Sequence, residues 1–361
     1  MKIITVVGAR PQFIKAAVGS RQIRKEHQEI LVHTGQHHDA NMSDVFFEEM
    51  EIPKPDYNLG IAGGSHGEMT GRMLIELEKV ILAEKPDAML VYGDTNSTMA
   101  AALAAVKLHV PVLHCESGNR FNTLESPEEV NRIVTDHVST IRFACSQSAL
   151  ESLKKENLAE RSYMIGDPMY DAFLYYGNRE NNCLFADAID FDGNDVQIPD
   201  SYYYMTCHRQ ENTNDPQKLK EILSAMETLD APTIYPVHPR NQKTVRQFMD
   251  EKLFSNILFI QPVGYLSSIA FAKNAKKIVT DSGGVQREAF FAGKKCVTVL
   301  DFEVWPETMR DGRNVLAKPD RDDILKKLSQ PQTIDPSYQP FGDGHAAGKM
   351  CKILNDWSNK R

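Results

Sequence analysis

Residues 115–132, CESGNRFNTLESPEEVNR, carry an unusual density of charge. The charged residues of this stretch are Glu116, Arg120, Glu125, Glu128, Glu129 and Arg132. A solvated helix face would explain such a run. An acid–base centre would explain it equally well, because carboxylates held near a substrate can remove and return protons. Glu116 follows the apolar run PVLH and Glu128 opens a helical pattern, whereas Glu125 is interpreted as a surface charge.

Other polar residues in the N-terminal half also follow apolar runs. GARPQFIK comes after IITVV, and it places Arg10 and Lys15 around a helix that Pro11 would begin. GDTNS comes after AMLVY and places Asp94 at the next helix start, where an ordinary N-cap role is the alternative. Neither motif is the G-x-G-x-x-G pattern of dinucleotide-binding proteins, so NAD is not predicted.

The C-terminal half has comparable motifs. MTCHRQEN supplies His208 and Arg209, and YPVHPR supplies His238 and Arg240; each histidine could equally be a structural residue.

The segment IVTDSGGVQREAFFAGK (278–294) is the most informative, because a strand pattern leads through two glycines into a helix. Gly283 and Gly284 would let backbone N–H groups approach a phosphate, and the helix N-terminus adds positive potential. Glu288, one turn later, could accept hydrogen bonds from a ribose diol. The alternative is a glycine-rich turn without a ligand.

The elements that must position these residues alternate between short apolar runs and amphipathic helical patterns. This alternation predicts an α/β protein with parallel, doubly wound sheets. The number of strand-like runs exceeds what one compact sheet would hold. We therefore predict a Rossmann-like domain over residues 1–168, a second over 169–344, and a final helix at about 345–361 that could return to the first.

Bulk properties restrict the function. The formal charge of −8 and a pI near 5.8 argue against nucleic acid as the main partner. The six cysteines are scattered without a CxxC pair, which predicts reduced thiols and a cytoplasmic protein, and no apolar run is long enough to span a membrane. HTGQHHD (33–39) resembles a metal-binding spacing, but no matching carboxylate or thiol set completes it, so no metal is predicted.

Taken together, the motifs resemble those of non-hydrolysing UDP-N-acetylglucosamine 2-epimerases. The matching motifs are, in order, GARPQFIKAA, TGQHHDANM, YGDTNST, HCESG, PEEVNR, CHRQENT, VHPR and TDSGGVQREA. The resemblance runs from residue 1 to about residue 330. It implies the GT-B fold, with two Rossmann-like doubly wound domains facing across a cleft, a homodimer, a UDP-sugar substrate and no cofactor. In the family's reaction, UDP leaves to form a 2-acetamidoglucal, and UDP is then added back to give the C2 epimer. The reaction supplies precursors of surface polysaccharides.

The resemblance also implies residue roles. Catalytic residues are expected at Asp94, Glu116, Glu128 and His208. Contacts to UDP or to the sugar are expected from Arg10, Lys15, Arg132, His238, Arg240, Ser282, Gly283, Gly284 and Glu288. A second, regulatory UDP-sugar pocket, used by some members, is expected to involve Gln36, Arg72 and Arg209, together with His238.

Several alternatives remain at this point. The stretch 32–73 looks most like the branch that acts on UDP-2,3-diacetamido-2,3-dideoxyglucuronic acid. Gln12, Ser117, Asn119 and the segment 301–313 depart from the usual family pattern and put the sugar in question. A hydrolysing epimerase, a GT-B glycosyltransferase and a catalytically silent UDP-sugar sensor are the other hypotheses.

Overall fold

The computed structural model describes residues 1–36, 46–178 and 188–360. The chain divides into two compact units, each described here by itself. Unit 1 comprises Met1–Tyr175 and Gln339–Arg361, and unit 2 comprises Tyr176–Tyr338.

The boundary between the units lies later than residues 168/169, where the sequence analysis placed it. The helix that begins at Pro168 lies mostly in unit 1, because the carboxylate of Asp171 accepts hydrogen bonds from the N–H groups of Ala346 and Ala347, at 3.0 and 2.8 Å. These two residues begin the last helix of the chain, which also belongs to unit 1.

Unit 1 is built on a seven-stranded parallel sheet of order β3-β2-β1-β4-β5-β6-β7. Its strands are β1 (Lys2–Val7), β2 (Gln28–His33), β3 (Tyr57–Asn58), β4 (Ala88–Tyr92), β5 (Val112–Ser117), β6 (Ile141–Ala144) and β7 (Ser162–Met164). Its helices are α1 (Arg10–Glu26), α2 (His66–Glu84), α3 (Asn96–Lys107), α4 (Pro127–Val138), α5 (Gln147–Lys155), α6 (Pro168–Gly177, which ends in unit 2) and α13 (Ala346–Ser358).

The central strand β4, AMLVY, is buried along its whole length, as expected for a strand covered on both faces. Helix α3 packs on this sheet with an alanine-rich face that includes Ala100 and Ala104. Small side chains let the helix pack close to the strands, and this packing positions the turn that joins β4 to α3.

Unit 2 repeats the plan with a six-stranded parallel sheet of order β10-β9-β8-β11-β12-β13. Its strands are β8 (Tyr203–Thr206), β9 (Thr233–Pro236), β10 (Ile257–Ile260), β11 (Ile278–Thr280), β12 (Cys296–Val299) and β13 (Asn314–Ala317). Its helices are α7 (Gln210–Thr213), α8 (Pro216–Glu227), α9 (Gln242–Asp250), α10 (Tyr265–Asn274), α11 (Gly283–Phe291) and α12 (Arg321–Ser329), with 3₁₀ segments at Pro239–Asn241 and Pro306–Gly312.

Both sheets have the strand order of a Rossmann fold, which confirms the predicted fold class. Cys115, Cys145, Cys207, Cys296 and Cys351 are buried and form no disulfide among the described residues, whereas Cys183 lies outside them. Among the helices that the structure describes, none is long and apolar enough to cross a membrane.

Candidate active site

The strand order reverses between β1 and β4 in unit 1 and between β8 and β11 in unit 2. Ligands of doubly wound sheets bind beyond the carboxyl ends of the strands at this point. The predicted site residues follow these four strands, with Lys15 after β1, Asp94 after β4, His208 after β8 and Ser282 after β11.

Gln12 joins the turns after β1 and β4. Its Oε1 accepts hydrogen bonds from the N–H groups of Gly8 and Ala9, at 2.7 and 3.0 Å. Its Nε2 donates to the carbonyl of Tyr92 at 2.7 Å and to the Thr98 hydroxyl at 2.8 Å. The side chain is buried, so this departure from the family's usual Glu is a structural link between two turns.

Asp94 is not the N-cap of α3. Thr95 has that role, because its hydroxyl accepts from the N–H of Thr98. The Asp94 carboxylate instead forms an ion pair with Nη2 of Arg132, and its carbonyl accepts from Nδ2 of Asn131 at 2.9 Å. The helix α4 therefore orients Asp94 through two side chains, and the capping interpretation of Asp94 is wrong.

Glu116 lies at the end of β5 in a left-handed backbone conformation, with φ of 73°. A non-glycine residue in this region is strained and persists only where its surroundings hold it, as is common at active sites. Its carboxylate is buried and contacts the ammonium of Lys15. A Cβ on Gly93 would lie 3.5 Å from the same ammonium, so Lys15 lies beside the Asp94 turn as well.

Potential metal-ligand atoms of Glu116, Cys145 and Asp167 lie within 4.8 Å of one another, and all three residues are buried. The ammonium of Lys15 already contacts the Glu116 carboxylate, which weakens the case for a metal ion at this position. Burial raises the pKa of the neighbouring Cys115 thiol well above its usual range, so this thiol stays protonated. Of the predicted loop 33–39, His37 and His38 lie outside the described residues.

Two adjacent glutamates begin α4 and face in different directions. Glu128 is exposed and accepts a hydrogen bond from the Ser126 hydroxyl at 2.6 Å. Glu129 is buried and accepts from the N–H groups of Phe121 and Asn122, at 2.9 and 3.0 Å.

Glu129 also lies 3.4 Å from Nη1 of Arg132, so it anchors the loop that precedes α4. The sequence analysis assigned no role to Glu129. The i, i+3 spacing of Glu129 and Arg132 was a signal for their ion pair, but not for the hydrogen bonds to the loop.

In unit 2 a buried carboxylate, Asp281, organises the end of β8. It accepts hydrogen bonds from the N–H groups of His208 and Arg209, at 3.0 and 2.9 Å, and from Nδ2 of Asn212 at 3.3 Å. Nδ1 of His208 lies 3.2 Å from the same carboxylate. Asp281 was not among the predicted site residues, although its place directly after β11 was a signal for it.

The turn after β11 leads into α11, whose first residues are Gly283 and Gly284. Ser282 is the N-cap, and its hydroxyl accepts from the N–H of Val285 at 3.4 Å. Glu288 is buried one turn into this helix. The arrangement offers free backbone N–H groups at a helix N-terminus, which is a site suited to phosphate.

The VHPR motif lies next to His208. The rings of His208 and His238 have centroids 5.8 Å apart, and Nη1 of Arg240 lies 3.4 Å from the His208 carbonyl oxygen. Three predicted residues of unit 2 are thus brought together.

The residues assigned to a regulatory pocket are not gathered within one unit. In unit 1, Oε1 of Gln36 accepts from the Ser97 hydroxyl at 2.7 Å, whereas Arg72 is exposed and lies 3.9 Å from Glu68. Arg209 is in unit 2, where its Nε donates to the Asp281 carbonyl at 3.0 Å.

The sequence model of the family described as UDP-N-acetylglucosamine 2-epimerase matches residues 21–355. The chain belongs to this epimerase family. Members of the family are isomerases that act on UDP-sugars, and this protein is therefore an enzyme of that class.

Among the family's members, the epimerase is 45% identical to the UDP-2,3-diacetamido-2,3-dideoxy-D-glucuronate 2-epimerase of Pseudomonas aeruginosa, over 98% of this chain and 99% of that protein. It is 39% identical to the UDP-N-acetylglucosamine 2-epimerase of Methanocaldococcus jannaschii, over 98% and 99% of the two chains. The crystal structure of the M. jannaschii enzyme in complex with UDP-GlcNAc and UDP superimposes with a TM-score of 0.87, covering 99% of this epimerase and all of that chain.

Proposed function

We propose that the protein is a non-hydrolysing 2-epimerase that interconverts UDP-N-acetylglucosamine and UDP-N-acetylmannosamine, or close derivatives of them. The observation that carries the proposal is a pair of carboxylates on neighbouring turns of unit 1, each with its own cation. Glu116 contacts Lys15, and Asp94 contacts Arg132. Positioned carboxylates of this kind can act as general acid–base groups.

The reaction needs such groups because the C2 proton of an N-acetylhexosamine is not next to a carbonyl. When UDP leaves C1 with the electron pair of the C1–O bond, C1 becomes electron-poor and the C2 proton becomes acidic. A carboxylate then takes that proton, and a C1–C2 double bond forms in a 2-acetamidoglucal. Protonation of C2 from the other face and return of the UDP oxygen to C1 give the epimer, without any net oxidation.

Different residues act in the proton-transfer steps and in the departure of UDP. Asp94 and Glu116 move protons at C2, with Glu128 as a third carboxylate on the strength of the family resemblance. General acid–base groups of this kind contribute on the order of 10² to 10⁴ in rate. Arg10, His208, Ser282 and the first N–H groups of α11 stabilise the charge that develops on the departing UDP.

Nuclear magnetic resonance in D₂O tests the proposal. UDP-N-acetylglucosamine incubated with the protein should acquire deuterium at C2 and form UDP-N-acetylmannosamine. Accumulation of free N-acetylmannosamine would instead identify a hydrolysing epimerase. Transfer of the sugar to an acceptor would identify a glycosyltransferase, and no change with any UDP-sugar would indicate a sensor.

A second candidate substrate is UDP-2,3-diacetamido-2,3-dideoxyglucuronic acid. The 45% identity to an enzyme named for that sugar, over 98% of this chain, favours it. The ratio of kcat/KM for the two nucleotide sugars, measured side by side, decides between them. If kcat/KM for one nucleotide sugar exceeds that for the other by about a hundredfold or more, the preferred one is identified as the physiological substrate.

We also propose that the enzyme acts in the cytoplasm as a homodimer and supplies precursors of surface polysaccharides. The described cysteines are buried thiols that form no disulfide among the described residues, which is compatible with a reducing compartment. Light scattering of the purified protein tests the dimer, since a monomer mass at micromolar concentration would contradict it.

A further inference from the structure

Asp136 is a fully buried carboxylate that takes no direct part in the proposed chemistry. Its Oδ1 lies 2.7 Å from Nδ1 of His114. Its Oδ2 accepts from the N–H of Gly118 at 3.0 Å and lies 2.8 Å from Nη1 of Arg120. Three groups from β5 and the loop after it therefore converge on one side chain of α4.

The contacts of the cluster explain why Asp136 is ionised. Nε2 of His114 lies 2.7 Å from the carbonyl oxygen of Gly93, so both ring nitrogens face acceptors. Burial by itself would raise the pKa of Asp136, but the adjacent His114 and Arg120 outweigh burial and lower it to about 2. Asp136 is therefore ionised and can act as a hydrogen-bond acceptor for His114, Gly118 and Arg120.

The cluster touches the two turns that carry the carboxylates of unit 1. Gly93 directly precedes Asp94, and Gly118 follows Glu116 by one intervening residue. The turns are also linked to each other, because the N–H of Gly93 donates to the carbonyl of Cys115 at 2.9 Å. One carboxylate thus holds the Asp94 turn through His114 and the Glu116 turn directly.

We propose that Asp136 and His114 are positioning residues for the epimerisation, which together fix the distance between the backbones of Asp94 and Glu116. This inference rests on the proposed function. The strained φ of Glu116 requires such a restraint. Groups that transfer protons lose on the order of a hundredfold in rate when displaced by about 1 Å.

Stability alone is a poor explanation of the cluster. Buried ion pairs are often no more stabilising than apolar side chains of the same volume, because both charges lose their hydration. Arg120 also forms an ion pair with Glu156, which is bidentate, with Nε and Nη2 at 2.7 and 2.8 Å from the carboxylate oxygens. The Arg120 guanidinium thus links Asp136 of α4 to Glu156, next to the turn that carries Glu116.

The test compares Asp136→Asn and His114→Gln with a control variant, Glu29→Gln. Glu29 is also buried in unit 1, where it accepts from Thr5 and Arg24 at 2.7 Å each, and it contacts neither turn. Asp136→Asn and Glu29→Gln each replace a buried carboxylate with an amide, and His114→Gln replaces a buried ring with an amide. We expect the two positioning variants to lose on the order of a hundredfold in kcat, with UDP affinity within threefold of wild type. The control should keep its kcat despite a comparable fall in Tm.

Two outcomes would overturn the inference. One is a wild-type kcat in folded His114→Gln, and the other is an equal kcat loss in Glu29→Gln. If Asp136→Asn does not fold, the milder His114→Gln decides, since it keeps one amide donor for Gly93. If the wild type is inactive towards both nucleotide sugars, the proposed function is contradicted. The positioning role can then be tested separately by hydrogen exchange. Slower exchange of the Gly118 N–H in wild type than in His114→Gln would still support a restraint on the two turns.

Discussion

The ammonium of Lys15 contacts the carboxylate of Glu116, and both side chains are almost completely buried, at 2% and 7% exposure. Lys15 comes from the first helix after β1, and Glu116 from the end of β5. Burying the Glu116 carboxylate alone would be costly, so the contact with Lys15 stabilises it in this position.

Breaking this pair from one side should reduce stability more than removing both charges. Lys15→Met leaves Glu116 buried without its cation, and we expect a loss of about 3–5 kcal/mol in the free energy of unfolding. The double variant Lys15→Met/Glu116→Gln should recover most of that loss and remain inactive. Urea unfolding and turnover measure the two effects, and an active double variant would refute the catalytic role of Glu116.

The adjacent glutamates of α4 should separate activity from stability. Glu128→Gln changes an exposed side chain, so Tm should stay within about 1 °C of wild type while kcat falls by about 10² or more. Glu129→Gln removes the charge that accepts two backbone N–H groups, so it should lower the free energy of unfolding by about 1–3 kcal/mol. Thermal unfolding and steady-state kinetics on both variants check the contrast, and a normal kcat in Glu128→Gln would remove it from the catalytic set.

The two glycines at the start of α11 allow a test of phosphate binding. A Cβ on Gly284 would have the Ser282 hydroxyl at 3.5 Å as its nearest neighbour, so alanine fits the protein without a ligand. Gly284→Ala should therefore keep its stability and weaken UDP binding about tenfold or more, because the methyl group occupies space beside the N–H groups.

Gly283→Ala serves as the steric comparison for this test. Its Cβ would lie 3.1 Å from Cγ1 of Val304 and 3.3 Å from Nε1 of Trp305, so this variant should lose stability as well. Calorimetric titration with UDP measures both affinities. Unchanged affinity in Gly284→Ala would place the phosphates elsewhere.

The depressed pKa of Asp136 gives a pH dependence with a defined sign. A carboxyl group whose pKa is lower in the folded state stabilises the protein above its unfolded value, and the contribution is lost as pH falls through the folded value. With a folded pKa of about 2, the contribution of Asp136 is on the order of 2 kcal/mol at neutral pH. The stability difference between wild type and Asp136→Asn should shrink as pH falls from about 4 to about 2. A difference that is independent of pH in that window, measured by urea unfolding, would contradict the assignment.

The sequence predicted the interior strands better than the edges of the sheets. Buried apolar runs such as AMLVY were recognised because central parallel strands are covered on both faces. The edge strands β3, β7 and β13 were missed, since they are two to four residues long and partly exposed. Their sequences lack the continuous apolar pattern on which the prediction depended.

Within the candidate site, the sequence analysis assigned residues one by one and did not predict their partners. Arg132 and Asp94 were assigned separately, and their ion pair depends on how α4 packs beside the β4 turn. His114 and Asp136 were not assigned at all, because a histidine in a buried strand and an acid in a helix have no local pattern that predicts their contact. Only the folded sheet brings them to the same two turns.

Cleavage of the C1–O bond during epimerisation is the central chemical claim, and isotope scrambling tests it most directly. UDP-sugar substrate carrying ¹⁸O in the bridge between C1 and the β-phosphorus should move the label into the non-bridging β-phosphate oxygens while the epimers equilibrate. Glu116→Gln should show neither scrambling nor deuterium at C2. Formation of the C2 epimer with the label retained entirely in the bridge would contradict elimination and re-addition of UDP.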